Sequence, residues 1–311
     1  MVPTVDEADR GKIRSAPHDS RMPQARTAAA ALSVASNSLL VILKLIVGLL
    51  TGSVSIISEA IHSGLDLLAA IIAYISIRVA ARPADETHRY GHGKVENVSG
   101  TVEAILIFIA ALWIIFEAVH KLFYGGAVEA LGLGLLVMAV SAGANFLISA
   151  HLFRVAKATD SIALEADALH LRTDVYTSLG VLAGLGLIQI TGQHLLDPLV
   201  AIVVALMIIK AAYGMTKEAF LPLLDSSLSA EEETLVRSVL GRYENRFLEF
   251  HALRTRRAGA ERHIDLHLVV PGNTHVDEVH DVCDRIEAEM RGLFPQASVL
   301  IHVEPESKRK G

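Results

Sequence analysis

The sequence predicts an α-helical membrane protein with six transmembrane helices, followed by a cytoplasmic α+β domain with the element order α-β-β-α-β. The chain has 311 residues, of which 52% are hydrophobic and 20% are charged, whereas soluble domains average about 25% charged residues. Apolar residues are concentrated between about 28 and 216. Beyond about 222 the pattern changes to short amphipathic and alternating segments. The chain therefore combines a membrane part with a smaller soluble part.

Six segments are long and apolar enough to cross a bilayer, which takes about 20 helical residues. They cover about 28–50, 53–79, 98–122, 128–153, 161–190 and 195–213. A large soluble protein with buried helices could imitate single segments of this kind. Six such lengths together with a consistent alternation of loop charge favour the membrane protein.

Lysine and arginine residues lie on one side of these segments. Five of them are in the first 26 residues, and the loops after the second and fourth segments carry more. The loops on the other side, 49–53, 121–127 and 191–197, contain only Lys121. By the positive-inside rule both termini are cytoplasmic. We expect an integral protein of the inner or plasma membrane, in contact with the lipid bilayer.

Composition also limits the domain organisation and the partners. The predicted parts are an N-terminal tail over 1–26, the transmembrane domain over 27–217, a soluble domain over 218–306 and a tail over 307–311. A net charge of −6 gives no basic field that would attract nucleic acid. Cys283 is the single cysteine, which excludes a disulfide framework within the chain and a thiolate-rich zinc cage. The polar start lacks the apolar region of a cleavable signal peptide.

Two predicted spans carry the same pair of ionisable residues. The second contains "SEAIHSGLD", with His62 and Asp66, and the fifth contains "ADALHLRTD", with His170 and Asp174. A spacing of i, i+4 places each pair on one helix face. Two such faces would offer two imidazoles and two carboxylates, a set that suits tetrahedral zinc. The alternative is a set of interhelical hydrogen bonds, but two negative charges at this depth favour a cation.

Three other ionisable residues accompany the pair in the fifth span. Glu165, Asp167 and Arg172 are expected to line or balance a hydrated path to the cation site, because ionisable groups within a membrane usually face a cavity or each other.

The loop between the second and third spans contains a second candidate metal site. Asp85, His88 and His92 lie within eight residues of "RPADETHRYGHGKVEN", and two glycines allow a tight bend. One carboxylate and two imidazoles can hold zinc with a fourth ligand from water or a nearby group. The alternative is a solvated polar loop with incidental histidines.

The segment after about 222 predicts the soluble domain. Ser229 and Glu232 form the capping box of a first helix. Two strands over 247–259 and 261–270, a helix over 275–294 and a strand over 297–305 follow. Six of the 14 histidines fall here, and His263 and His267 alternate with Asp265 on one strand face. This favours a metal site over a solvated polar face.

These motifs resemble those of the cation diffusion facilitators, six-span exporters of zinc and other transition metals with a cytoplasmic metallochaperone-like domain. The resemblance covers about 25–305 and includes "SEAIHSGLD", "RPADETHRYGHGKVEN", "ADALHLRTD", "LLDSS", "FHALRTRRAG" and "LIHVEP". It implies a transport site at His62, Asp66, His170 and Asp174, and a loop site at Asp85, His88 and His92. Histidine at the first position is similar to the zinc-selective members.

The resemblance also implies roles for the soluble domain. A binuclear site is expected at His251, His267, His280, His302 and Glu304, where the last position is aspartate in relatives. Relatives are homodimers, and the resemblance matches their charge interlock to Lys94 and Asp225. The domain over 218–306 would then bind metal and dimerise.

The implied function is proton-coupled efflux of zinc, with cadmium tolerated, by alternating access. Zn²⁺ is then both the transported substrate and a regulatory or structural ion, and protons and divalent metals are the partners. An iron, manganese or cobalt exporter of the same family and a non-transporting metal sensor or scaffold remain alternatives. An enzyme is not expected, since the chain has no His-Glu-x-x-His motif.

Overall fold

A computed structural model describes residues 21–52, 54–124, 133–193 and 195–309. Its first part consists of six long helices, α1 (Arg21–Thr51), α2 (Val54–Ala80), α3 (Lys94–Tyr124), α4 (Leu133–Thr159), α5 (Ile162–Thr191) and α6 (Leu196–Phe220). Several extend past the predicted spans because hydropathy marks the apolar turns, while polar turns continue the helix into water. Most of the predicted N-terminal tail and the start of the predicted fourth span lie outside the described residues.

Five of the described helices, all except α5, are long and apolar enough to cross a membrane. Helix α5 has 30 residues, but its first half carries Glu165, Asp167, Arg172 and Asp174. It packs against α2, α3, α4 and α6, so these groups are enclosed by other helices. The predicted six-helix domain is confirmed, and its most polar helix is a central one.

The outer surface of the bundle is apolar. Leu39, Leu50, Trp113, Leu147 and Ile190 are each more than 60% exposed. In water such a continuous apolar surface would be costly, at about 25 cal/mol for each Å². The surface is instead the one expected to face lipid.

The C-terminal part has the predicted element order. Helix α7 (Ala230–Gly241) is followed by β1 (Glu249–Ala258), β2 (Glu261–Val270), α8 (Val276–Leu293) and β3 (Ala297–Pro305), with 3-10 turns at Leu221–Leu224 and Glu306–Lys308. Both hydrogen bonds of the predicted capping box form at Ser229 and Glu232. The predicted α+β domain is confirmed.

The three strands form one sheet in the order β1-β2-β3. Strand β2 pairs antiparallel with β1 and parallel with β3. One face packs Ile264, Leu266 and Leu268 against α7 and α8, and Cys283 is buried in the same core. Side chains alternate along a strand, so His267 belongs to the opposite face.

The turn between β1 and β2 joins the soluble domain to the helix bundle. The Gly259 amide donates to Asn97 Oδ1 of α3 at 2.7 Å, and Asn97 donates to the Ala219 carbonyl of α6 at 3.2 Å. Gly259 has a φ of +60°, which glycine adopts without strain. Gly93 lies so close to Ala258 that any side chain there would meet its carbonyl oxygen. Backbone therefore contacts backbone at this junction.

Candidate metal sites

The predicted intramembrane residues converge on one site between α2 and α5. Ligand atoms of His62, Asp66 and Asp174 all lie within 4.8 Å of one another. His170 Nε2 is 3.0 Å from Asp66 Oδ1. Asp66 is 5% exposed, His170 and Asp174 are half-buried, and His62 is exposed. One turn of helix separates the members of each pair, and this spacing lets two helices present four ligands at one level.

Asn145 of α4 is a further polar residue at this site. Its amide donates to Asp174 Oδ2 at 3.3 Å, and the side chain is buried at 7% exposure. It therefore holds one carboxylate oxygen of Asp174 and leaves Oδ1 for a cation. Sequence reasoning missed it, although a lone asparagine in an apolar span was the signal that could have found it.

The structure changes the interpretation of Asp167 and Arg172. Asp167 is 1% exposed, so in this conformation it lines no hydrated path. Arg172 Nε donates to Ser149 at 3.1 Å, and its guanidinium lies 4.9 Å from the ring centroid of Phe146. Aromatic rings and a hydroxyl thus hold this cation. Glu165 is half-buried.

The three predicted loop residues also come together, with ligand atoms within 4.8 Å of one another. Asp85 Oδ2 is 3.2 Å from His92 Nε2, and Asp85 Oδ1 is 3.3 Å from His88 Nδ1. The backbone amide of His88 and the Thr87 side chain donate to the Asp85 carboxylate. These hydrogen bonds hold the pKa of Asp85 well below its usual range. The loop therefore presents a carboxylate that stays ionised.

On the open face of the sheet, three histidines stand in register across the strands. His251 is opposite His267, and His267 is opposite His302. Glu304 Oε2 is 3.2 Å from His251 Nε2, and Oε1 is 3.2 Å from His267 Nδ1. The ligand atoms of His251, His267 and Glu304 lie within 4.8 Å of one another. The rings of His267 and His302 are 4.9 Å apart, so His302 borders the cluster.

The fifth residue predicted for this site lies elsewhere. His280 is on α8, which packs on the other face of the sheet. Its side chain is 73% exposed, with Nδ1 3.7 Å from Asp284. The structure does not bring it to the other ligands within this chain.

The two residues predicted for a charge interlock form an ion pair within the chain. Lys94 Nζ donates to Asp225 Oδ1 at 2.8 Å. Arg256 of β1 donates to the same oxygen at 3.3 Å. The Lys94 hydrogen bond and the two positive charges lower the pKa of Asp225. Asp225 thus links α3, the end of α6 and the sheet.

Glu103 of α3 is a second residue that sequence reasoning missed. It is 1% exposed, at the start of the predicted third span. The rule that ionisable groups within spans mark function could have singled it out.

Comparison with known families identifies both parts of the chain. Residues 30–224 match the cation efflux transmembrane domain. Residues 228–306 match the ZT_dimer model, described as the cytoplasmic domain of cation efflux proteins.

Individual relatives extend over most of the chain. An uncharacterised transporter of Synechocystis sp. is 36% identical over 82% of this chain and 83% of its own length. The cation-efflux pump FieF of Shewanella oneidensis is 33% identical over 88% of this chain and 92% of its own. A solved chain of CzrB, a proposed zinc transporter, in its zinc form is 44% identical; it covers 28% of this chain and 99% of its own, with a TM-score of 0.27. The family matches and the long alignments agree, and this chain belongs to the cation diffusion facilitator family of cation efflux transporters.

Proposed function

We propose that this member of the family exports zinc from the cytoplasm by alternating access, in exchange for protons. The observation that carries the proposal is the convergence of His62, Asp66, His170 and Asp174 inside the helix bundle. Two imidazoles and two carboxylates without a thiolate match a tetrahedral zinc site. Tight binding is not needed, since a transport site must also release its ion.

Proton exchange follows from the chemistry of these ligands. Imidazoles and carboxylates bind metal only when deprotonated, so zinc displaces protons on entry and protons displace zinc on exit. Rocking of the helices would expose the site to each side in turn. The positive-inside charge pattern supports cytoplasmic termini in the inner or plasma membrane.

The soluble domain is proposed to bind zinc and to hold a homodimer. His251, His267, His302 and Glu304 supply ligands on the open sheet face. His280 could join them only from the second subunit, because α8 lies behind the sheet. We place the junction between the helix bundle and the soluble domain near 217–218. Two features adjoin it: the loop site at Asp85, His88 and His92, and the ion pair of Lys94 with Asp225.

Zinc uptake into inverted membrane vesicles with an imposed proton gradient tests the transport site. Asp174→Ala should abolish uptake while the protein still folds and dimerises, because a cation site loses one of its two carboxylates. Asp277→Ala, which removes an exposed carboxylate of α8, is the control and should transport normally. Unchanged flux in Asp174→Ala would rule out the site. Manganese that displaced zinc from transport would favour the iron or manganese exporter.

A further inference from the structure

Two carboxylates are buried in the bundle outside the metal cluster. Glu103 lies on α3, nine residues after Lys94, and Asp167 lies on α5, three residues before His170. Each is 1% exposed. Both helices begin at the end of the bundle that contacts the soluble domain, where Asn97 meets Gly259. On α5, three residues correspond to about 4.5 Å along the helix axis. Asp167 is therefore nearer than the metal cluster to that end.

In the part of the chain that the structure describes, no lysine or arginine side chain hydrogen-bonds either carboxylate. Among the described residues, no hydrogen-bond partner reaches either oxygen of Asp167 or Oε2 of Glu103. Glu103 Oε1 accepts from Ser99 at 3.1 Å, and the Ser33 side chain approaches Asp167. Among the residues that the structure describes, the charged or titratable groups that act on Glu103 are Asp167 and His170, and the one that acts on Asp167 is His170.

Unpaired ionised carboxylates at this depth would be very costly, so each must carry a proton or share a cation. A shared metal ion is not favoured by the geometry. Three groups of described residues bring ligand atoms within 4.8 Å of one another, and Glu103, Asp167 and His170 are not one of them. A proton needs no such convergence, because it bonds to a single oxygen.

We propose that Glu103 and Asp167 form a proton-carrying pair that is separate from the metal ligands and supplies protons for the exchange. This inference rests on the proposed function and names residues for its proton step. With the metal site empty, both side chains are neutral carboxylic acids. When a divalent cation enters the site, its positive charge favours breaking an O–H bond of the pair. The proton reaches cytoplasmic water when the rocking of the helices opens the pair to that side, and it is regained when the metal has left.

Replacing a metal ligand should abolish metal binding. Replacing Glu103 and Asp167 by neutral isosteres should keep the metal site and remove only the exchangeable protons of the two carboxylic acids. Glutamine and asparagine retain the size and polarity of the side chains but bind no exchangeable carboxylic proton.

The experiment measures proton release when Zn²⁺ is added to the purified full-length protein in weakly buffered solution, together with zinc affinity by calorimetry. The variants are Glu103→Gln, Asp167→Asn and the double variant. The double variant should bind zinc with an affinity within about threefold of wild type and release about one proton fewer for each zinc bound at the transport site. Glu117→Gln, an exposed glutamate on the same helix, is the control and should release as many protons as wild type.

Equal proton release by the wild type and the double variant would overturn the proposal. If the double variant does not fold, the single variants decide, since each should still release fewer protons than Glu117→Gln. Absence of proton release from the wild type would instead contradict the proposed exchange itself. Asp174→Ala separates the two failures, because it should lose the zinc binding and the proton release of the transport site while the loop and sheet clusters are intact.

Discussion

At the scale of single residues, Asn145 fixes the orientation of Asp174, one of the proposed metal ligands. Its amide holds Asp174 Oδ2 at 3.3 Å, and groups that orient ligands typically contribute 10–100-fold to metal affinity. Asn145→Ala should therefore raise the zinc concentration for half-maximal transport roughly 10-fold. Ser141→Ala is the matched control, since Ser141 is a buried polar residue one turn earlier with an unpaired hydroxyl. The same half-maximal concentration in both variants would contradict the role of Asn145.

Asp85 gives the loop site a defined pH dependence. The pKa of Asp85 is depressed in the folded protein, so its ionised form stabilises the fold at every pH above the unfolded pKa of about 3.9. That stabilisation is lost only as the pH falls through the lower pKa of the folded state. Between pH 5 and 8 Asp85 should therefore stay charged. Asp85→Asn should weaken loop zinc binding across this whole range, because the charge that it removes is present at every pH in the range.

Zinc titrations in a background that combines Asp174→Ala with His251→Ala and His267→Ala, where the transport and sheet sites are removed, measure that loss. Glu86→Gln, an adjacent exposed carboxylate, should leave the affinity unchanged. Equal zinc affinities of the loop with and without Asp85→Asn at pH 5 would show that Asp85 is already neutral there.

The sequence predicted the residues that converge at this site but not the polar groups beside them. The repeated i, i+4 spacing placed His62 with Asp66 and His170 with Asp174, because helix geometry converts spacing directly into position. Asn145 and Glu103 have no such local pattern. Their roles depend on which helices become neighbours, which only the packed bundle reveals.

At the scale of elements, the contact between the β1–β2 turn and the start of α3 requires glycine. A Cβ on Gly93 would clash with the carbonyl oxygen of Ala258. This oxygen belongs to the backbone, so it cannot turn away as the end of a flexible side chain would. Gly93→Ala should destabilise the protein by about 1–3 kcal/mol, because the turn or the helix must shift. Gly214→Ala on α6 meets nothing within 4 Å and should be neutral or slightly stabilising. Thermal unfolding in detergent compares them, and equal transition temperatures would contradict a tight junction.

Helices and strands were predictable because their periodicity is local, whereas this junction was not. The alternation in "ERHIDLHLVV" gave the bounds of β2 as they occur, Glu261–Val270. Helix α5 was also predicted despite its charges, since its apolar second half continues the span. The docking of Gly259 on Asn97 joins residues 162 positions apart, and no local pattern encodes such a contact.

At the scale of the whole molecule, the three clusters lie in different structural settings. The proposed transport cluster is between α2 and α5, the loop cluster is between α2 and α3, and the third cluster is on the sheet. Lys94, Asp225 and Arg256 connect the last two regions. His280 lies on α8, which packs on the other face of the sheet. Its predicted place beside His251 and His267 would therefore require a second subunit.

Zinc bound to the sheet should stabilise the protein independently of transport. A metal that binds the folded domain alone adds about 2.7 kcal/mol at 100 times its dissociation constant, and His251 and His267 with Glu304 form the cluster that would hold it. Thermal unfolding of the soluble domain within the full-length protein, with and without zinc, measures this gain. The double variant His251→Ala with His267→Ala should lose it, while Asp174→Ala should keep it because its sheet is intact. A gain lost in Asp174→Ala and retained in the double variant would place the stabilising zinc in the membrane site instead.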